Sequence, residues 1–245
     1  MKNYSVKEKV KTVLSYIAYA LFLIFIVYTA IYAENTMTKW GFLILSFAAL
    51  LIVVYSEYLK QLYHQALFEM NFELDAEKSM KTFDKLLNKD ILKGYNNSKH
   101  LYYVQAYTEL GESEKVLQIL FDNEKEFRSG PNMLMIFYYY QIRSYLLLQD
   151  YEQAQEAFQK TSALRKMKKP VKIFSWDEID GLGALAYNNV PKAYKAFANV
   201  NMKNMNLKEK VFITKNLIKC SKNDNDRFKH QKILDELKVK AKENS

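Results

Sequence analysis

The chain is poor in the residues that break or staple a polypeptide. Across 245 residues there are 6 Gly, 3 Pro and one Cys. Cys220 has no partner for an internal disulfide, so no disulfide framework supports an extracellular fold. It reads as a small, half-buried apolar residue near a helix end rather than as a reactive thiol. Few breakers exclude a turn-rich sheet protein, and together with 19 Tyr and 15 Phe they favour long packed helices. Catalytic groupings are equally scarce. His64, His100 and His230 have no carboxylate or Cys at metal-ligand spacing. Gly181-x-Gly183 lacks the preceding strand and the third glycine of a phosphate loop. Asp177, Glu178 and Asp180 fit the acidic first turn of a capped helix. The reading is of a protein that is not an enzyme, with no cofactor, metal or small-molecule substrate.

What is present is unevenly distributed. The net charge is +9. Lys2, Lys7, Lys9 and Lys11 against Glu8 give +3, residues 201–245 give +6, and the stretch between them balances. Basic ends suit an anionic membrane face. They would also suit nucleic acid through the C-terminal hairpin, which ranks last because aromatics and bases are not interleaved there. Lys, Asn and Tyr are abundant, the usage of an AT-rich bacterial genome.

Two uncharged runs open the chain. Val13 to Ala33 spans 21 residues and Trp40 to Ser56 spans 17. At ~1.5 Å per residue the first covers the ~30 Å of a bilayer core, and neither has the polar stripe of a water-facing helix. Lys39 and Trp40 sit at one border of the second run, Tyr55 and Tyr58 at the other, with Lys60 placed to snorkel. A second apolar run so soon after the first argues against a cleaved signal peptide. The domains expected are a basic segment over 1–12, a transmembrane hairpin over 13–57 with spans 13–33 and 40–57, and a helical domain over 58–245. The N-terminal lysines place both termini in the cytoplasm of a multi-pass, two-span protein of the cell membrane.

After residue 58 the pattern becomes amphipathic and repeats. Phe83, Leu120, Phe158 and Phe197 recur at steps of 37, 38 and 39 residues. The clearest unit holds Tyr138, Ile142 and Tyr145, then Gln149-Asp150-Tyr151, then Ala154 and Phe158. Sliding its register gives Ser79 and Phe83, Val116 and Leu120, and Ala193 and Phe197 at matching positions. These residues, over roughly 60–200, resemble the tetratricopeptide repeat. That family pairs antiparallel helices, keeps a small residue where Ala154 stands, and fills the gap between helices with aromatics where Tyr145, Tyr151 and Phe158 stand. The resemblance implies an all-α chain in which the transmembrane hairpin leads into a right-handed solenoid of about four to five helical hairpins. Residues 205–245 would be a degenerate cap. With no Pro or Gly between Gly41 and Gly94, the second span should run directly into the first repeat helix. Ser5-x-x-Glu8 and Ser175-x-x-Glu178 fit capping boxes, and Asn206-x-x-Glu209 is a looser version. Gly94 and Gly111 fall where helices would end left-handed, and Pro131 suits a first helical turn.

In that family the first helix of each repeat supplies most ligand contacts. By register, the candidate partner groove comprises Gln61, His64, Asn71, Gln105, Thr108, Tyr139, Arg143 and Glu178, with Ser98 and Leu101 beside them. Arg143 is the leading residue, as a guanidinium can clamp a carboxylate with two prongs. Tyr138-Tyr139-Tyr140 cannot form one stacking platform, because consecutive helical residues point ~100° apart. That leaves Tyr138 for the core and Tyr139 for the groove. Arg165, Lys166, Lys168, Lys169 and Lys172 form a candidate basic docking patch for anionic lipid or an acidic partner. The partners expected are a protein or peptide and the lipid bilayer. The alternative is a regulatory or assembly subunit of a membrane complex, recognised through the hairpin itself by polar groups such as Ser15, Thr29 and Ser46.

Overall fold

The computed structural model describes residues 19–29, 31–32, 35–167, 171 and 173–244. All regular structure among them is helical: α1 Tyr19–Thr29, α2 Thr36–Phe68, α3 Ala76–Lys89, α4 Lys99–Leu110, α5 Ser113–Asp122, α6 Glu124–Phe127, α7 Pro131–Leu147, α8 Tyr151–Arg165, α9 Trp176–Ala186, α10 Val190–Asn199, α11 Leu207–Cys220 and α12 Asp224–Asn244. The chain divides into two compact units, 1–61 and 62–245.

In the first unit Asn35 starts α2 by accepting from the Met37 amide at 2.9 Å. The helix then runs unbroken to Phe68. Phe25 of α1 meets Phe42 of α2 edge-on at 6.0 Å, and Ile26 and Ser46 are buried. Most other large apolar side chains on these helices are bare: Ile44, Leu45, Phe47, Leu51, Ile52 and Val54 are all more than half exposed. An apolar helix with so much of its surface bare suits lipid better than water. Among the described residues, α2 is the one helix long and apolar enough to cross a membrane. Of the first expected span, the helix Tyr19–Thr29 is described and is too short by itself. Residues 13–18, 30 and 33, the basic segment 1–12 and the Ser5–Glu8 box lie outside the described residues.

The second unit is organised by one turn used four times. α2 ends in a π-helical turn, Glu69–Glu73, before Leu74. Leu74, Gly111, Gln149 and Asn188 all take positive φ, at 60, 76, 61 and 54°. The amide after each reaches back into the helix just ended: Asp75 to the Glu69 carbonyl at 3.1 Å, Glu112 to Tyr107 at 2.9 Å, Asp150 to Tyr145 at 2.9 Å, and Asn189 to Ala184 at 2.8 Å. These are helix C-terminal bonds of the Schellman type, with a left-handed residue at the pivot. Asp75, Asp150 and Asn189 then cap the next helix from their side chains. The first copy spans one residue more than the others, and the π-helical turn absorbs it.

Each turn delivers the same two core positions. Five residues after the left-handed residue come Ser79, Val116, Ala154 and Ala193, all fully buried. Nine residues after it come Phe83, Leu120, Phe158 and Phe197; Phe158 is half-buried and the others fully buried. Consecutive helices pack on one another: α3 on α4, α4 on α5, α5 on α7, and α7 through α12 each on the next. Tyr102 stacks on Phe83 at 3.7 Å in the first cluster, while α7 lies at the centre of the main one. Tyr151 departs from expectation. As first residue of α8 it is about half exposed and leaves the inter-helix gap to Phe158.

Phe158 and Phe197 fill that gap against α9 because α9 has no side chains there. A Cβ on Gly183 would overlap the Phe158 ring, and one on Gly181 the Phe197 ring. Close helix approach is thus the physical reason for Gly181-x-Gly183. Two punctuation expectations fail. Gly94 does not take positive φ, because Lys93 does so one residue earlier (φ 54°). Ser175 makes no side-chain cap bond, because Glu178 is drawn inward instead. Asn206–Glu209 forms the full reciprocal capping box.

The last helix pair returns to the first turn. α11 and α12 both touch the π-helical turn, Leu74 packs among Leu207, Val211, Leu234, Leu237 and Ala241, and the Asn244 amide donates to the Phe72 carbonyl at 3.3 Å.

Gly183→Ala is expected to lower the melting temperature in detergent. Overpacking against Phe158 costs ~1–3 kcal/mol, more than the ~1 kcal/mol that alanine returns in helix propensity. Phe158→Leu in the same chain should recover part of the loss. Gly130→Ala, where a Cβ meets open space, should be near neutral. Equal melting of Gly183→Ala and wild type, followed by circular dichroism, would refute this packing account.

Candidate partner-binding face

The sequence-derived groove positions fall into two groups. His64 is exposed, and Asn71, Ser98, Leu101 and Gln105 are half-buried. Gln61, which closes the first unit, is exposed. Thr108, Tyr139 and Glu178 are buried, and the Arg143 side chain retains 12% exposure. Thr108 spends its hydroxyl on the Val104 carbonyl within its own helix, at 2.6 Å.

Arg143 is surrounded by protein. Its guanidinium lies 3.9 Å from the centroid of the Phe212 ring, contributed by α11. Nη2 reaches Glu109 Oε1 at 3.5 Å, and Nη1 reaches Tyr139 Oη at 3.4 Å. Tyr139 donates to Glu178 Oε1 and stacks on Phe174 at 3.7 Å. α4, α7, α9 and α11 therefore all contribute to one network, with Arg143, Tyr139 and Glu178 inside and Phe212 and the exposed Glu109 at its edge. Burial alone would lower the Arg143 pKa; Tyr139 and then Glu109 outweigh it and hold the guanidinium charged. Burial pushes the Glu178 carboxyl above its ordinary range, and Tyr139 and Arg143 pull it partly back.

Lys208, on the first turn of α11, extends the network toward the first helix. Its ammonium sits 3.5 Å from Gln105 Oε1 and 3.7 Å from Met70 Sδ. Burial lowers its pKa below that of a free lysine. Lys208, Phe212 and Glu109 are the members that sequence reasoning missed. α11 reads as part of a cap, and nothing in its residues announces that it packs on helices 60 to 140 positions earlier.

The three consecutive tyrosines are all buried, because α7 is packed on every side; Tyr139 faces Glu178 rather than an open groove. In the basic patch, Arg165 is committed to Asp180 at 2.7 Å and lies 4.5 Å from the Trp176 ring centroid. Lys166 is exposed, and Lys168, Lys169 and Lys172 lie outside the described residues. His100 pairs with Glu126 of α6 at 2.7 Å. Cys220 is buried rather than half-buried, and burial pushes its thiol pKa up.

Arg143→Ala should cost ~1–3 kcal/mol of stability, the scale for leaving the buried Tyr139–Glu178 pair without a charged neighbour. Arg143→Lys should recover little, because an ammonium cannot reproduce the planar contact with Phe212. Thermal melts in detergent check both, and an unchanged midpoint for Arg143→Ala would contradict the arrangement. Lys208 supplies a pH test. Its folded pKa lies below the unfolded 10.5, so between the two values the unfolded chain binds more protons and stability rises with pH. Lys208→Met should flatten that alkaline rise relative to wild type. Identical pH profiles would remove the buried charge from the account.

Comparison with protein-family models, curated proteins and solved structures found no match, so the functional argument rests on this geometry alone.

Proposed function

We propose that the protein is a membrane-anchored scaffold, in which a tetratricopeptide-like array of helical hairpins presents a binding surface for a protein or peptide at the cytoplasmic membrane face. One observation carries the proposal: the same left-handed turn recurs at 74, 111, 149 and 188 and delivers the same two core positions each time. Helix pairs of that kind bury their apolar faces by stacking, which leaves a long surface for a partner and no need of a catalytic centre. The bare apolar length of α2 supports the anchor, and the four lysines before residue 12 support cytoplasmic termini. Two spans are part of this reading, as are four hairpins in the array with α11–α12 as a fifth, non-repeating pair. Tethering raises the effective concentration of whatever the array holds for other membrane components.

The cluster around Arg143 binds α11 in cis, so partner contacts fall on first-helix positions outside α11. His64 is the most exposed of them in the second unit. Affinity purification after cross-linking in intact membranes, with the full chain and with residues 58–245, tests the proposal. A common partner recovered with both, and weakened by His64→Glu, is the result expected. A partner recovered only with the full chain would overturn it in favour of recognition by the transmembrane hairpin. A C-terminal tag cleaved by protease added outside intact cells would overturn the orientation.

A further inference from the structure

The connection between α3 and α4 is built to push two large apolar side chains into its surroundings. The Lys93 amide donates to the Asp90 carbonyl at 3.1 Å, which makes Ile91 and Leu92 the central residues of a tight turn. The turn is clamped from within: the Asp90 side chain is buried and accepts from the Tyr95 amide at 2.7 Å. Such central positions ordinarily hold Gly, Asn, Asp or Ser. Here Ile91 is 81% and Leu92 72% exposed, the first and third highest values for large apolar side chains in the second unit. A rigid turn that holds two aliphatic side chains outward contributes nothing to its own core.

Lysines outnumber acids around this tip. Lys85, Lys89 and Lys93 are exposed. Of the nearby acids, Asp90 is buried in the turn, and Asp84, although exposed, accepts from the Tyr103 hydroxyl. Aliphatic side chains at a tip ringed by lysines match the interface of an anionic bilayer, where the apolar groups enter the acyl boundary and the ammonium groups meet the headgroups.

The place of the turn in its own unit fits the same surface. Tyr95 packs on Tyr63 at 5.1 Å, and Tyr63 packs on Phe83. The turn therefore belongs to the end of the unit at which the chain arrives, at Leu62. Tyr63 follows Ser56, the last residue of the uncharged run, by seven positions. Seven residues reach at most ~25 Å even when fully extended, so this end is tethered close to any bilayer that the run enters.

We propose that the Ile91–Leu92 turn is a second membrane contact of this protein, inserted into the bilayer interface and drawn there by Lys85, Lys89 and Lys93. The proposal rests on the membrane-anchor reading above, and the experiment separates the two. Full-length protein bearing Leu92→Cys in a Cys220→Ala background is labelled with an environment-sensitive fluorophore. It is reconstituted in phosphatidylcholine–phosphatidylglycerol vesicles carrying nitroxide at a shallow acyl position. Glu114→Cys, labelled in the same way just after the far end of α4, is the control. Fluorescence at 92 should shift to the blue and fall by about twofold or more as nitroxide lipid is added, with 114 unchanged. Lys85→Gln, Lys89→Gln and Lys93→Gln together should reduce the quenching. A probe at 92 as water-exposed and unquenched as that at 114, in protein that floats with the vesicles after alkaline wash, would overturn the proposal and leave the anchor standing. A blue-shifted probe that nitroxide lipid does not quench would mean that protein covers the turn, which also overturns it. Protein that does not float would overturn both readings.

Discussion

The second unit depends on a backbone conformation rather than on any one side chain. At the end of each first helix, one residue swings into the left-handed region and the following amide bonds back to a carbonyl five or six residues earlier. That geometry turns the chain onto the helix it has just left. The residues five and nine places further on then have no choice but the interior. The position at five is small or β-branched (Ser79, Val116, Ala154, Ala193), because the two helices of a pair approach closely there. The position at nine is large, because the pair must be filled where it meets its neighbour. Left-handed backbone costs a non-glycine residue ~1 kcal/mol or more, yet three of the four turns use Leu74, Gln149 and Asn188. Burial on both sides of each turn sustains that local cost.

Stacking of this kind leaves an unsatisfied face at each end, and here the chain closes its own problem. α11 packs on α10 and reaches α4 and α7 through Lys208 and Phe212, and α12 carries the contact onto Leu74 and the π-helical turn. The closure is polar as well as apolar. Arg143 is charged, nearly sealed from water, and held by Glu109, Tyr139 and the Phe212 face at once. Removing water from an ion pair costs about as much as the pair returns, so the network adds less to net stability than to register. Only one placement of α11 sets Phe212 over the guanidinium and Lys208 beside Gln105. The residues that look most like ligand contacts from their position on first helices are thus the residues that dock the C-terminal pair.

This explains what could be read in advance and what could not. The all-helical class, the 37–39-residue beat and the large residues that mark it were legible, because they depend on residue size at fixed spacing: Phe83, Leu120, Phe158 and Phe197 need only be large. The turns were not, because Leu74, Gly111, Gln149 and Asn188 share a conformation and no chemistry. Gly111 alone was legible as a helix terminator. Ser175-x-x-Glu178 reads as a capping box for sound local reasons, but a hydroxyl 39 residues away, on Tyr139, competes for the same carboxylate and wins in the dry interior. In the candidate groove, register set Tyr139, Arg143 and Glu178 side by side, and in the structure they meet in the interior rather than on an open face. Burial by α11 could not be read, since no local pattern on Lys208 or Phe212 specifies a partner so far back in the chain.

The two units also differ in what their exposed surface means. In the first, large aliphatic and aromatic side chains stand bare over most of α2 outside the stripe of Phe42 and Ser46, a pattern that suits lipid better than water. In the second, exposed apolar groups are mostly single, apart from Leu147 and Leu148 beside the Gln149 turn, over helices whose inner faces are well packed, which is ordinary for a protein in water. The Ile91–Leu92 turn belongs to neither pattern. Its side chains are adjacent, held outward by a buried carboxylate, and bordered by exposed lysines. Random surface exposure needs no clamp, so the bond from the Tyr95 amide to Asp90 sets this turn apart from Phe228 or Val239 on α12. The tip lies at the end of its unit where the chain arrives from an apolar helix, and the proposed lipid contact depends on that placement as much as on the exposed side chains.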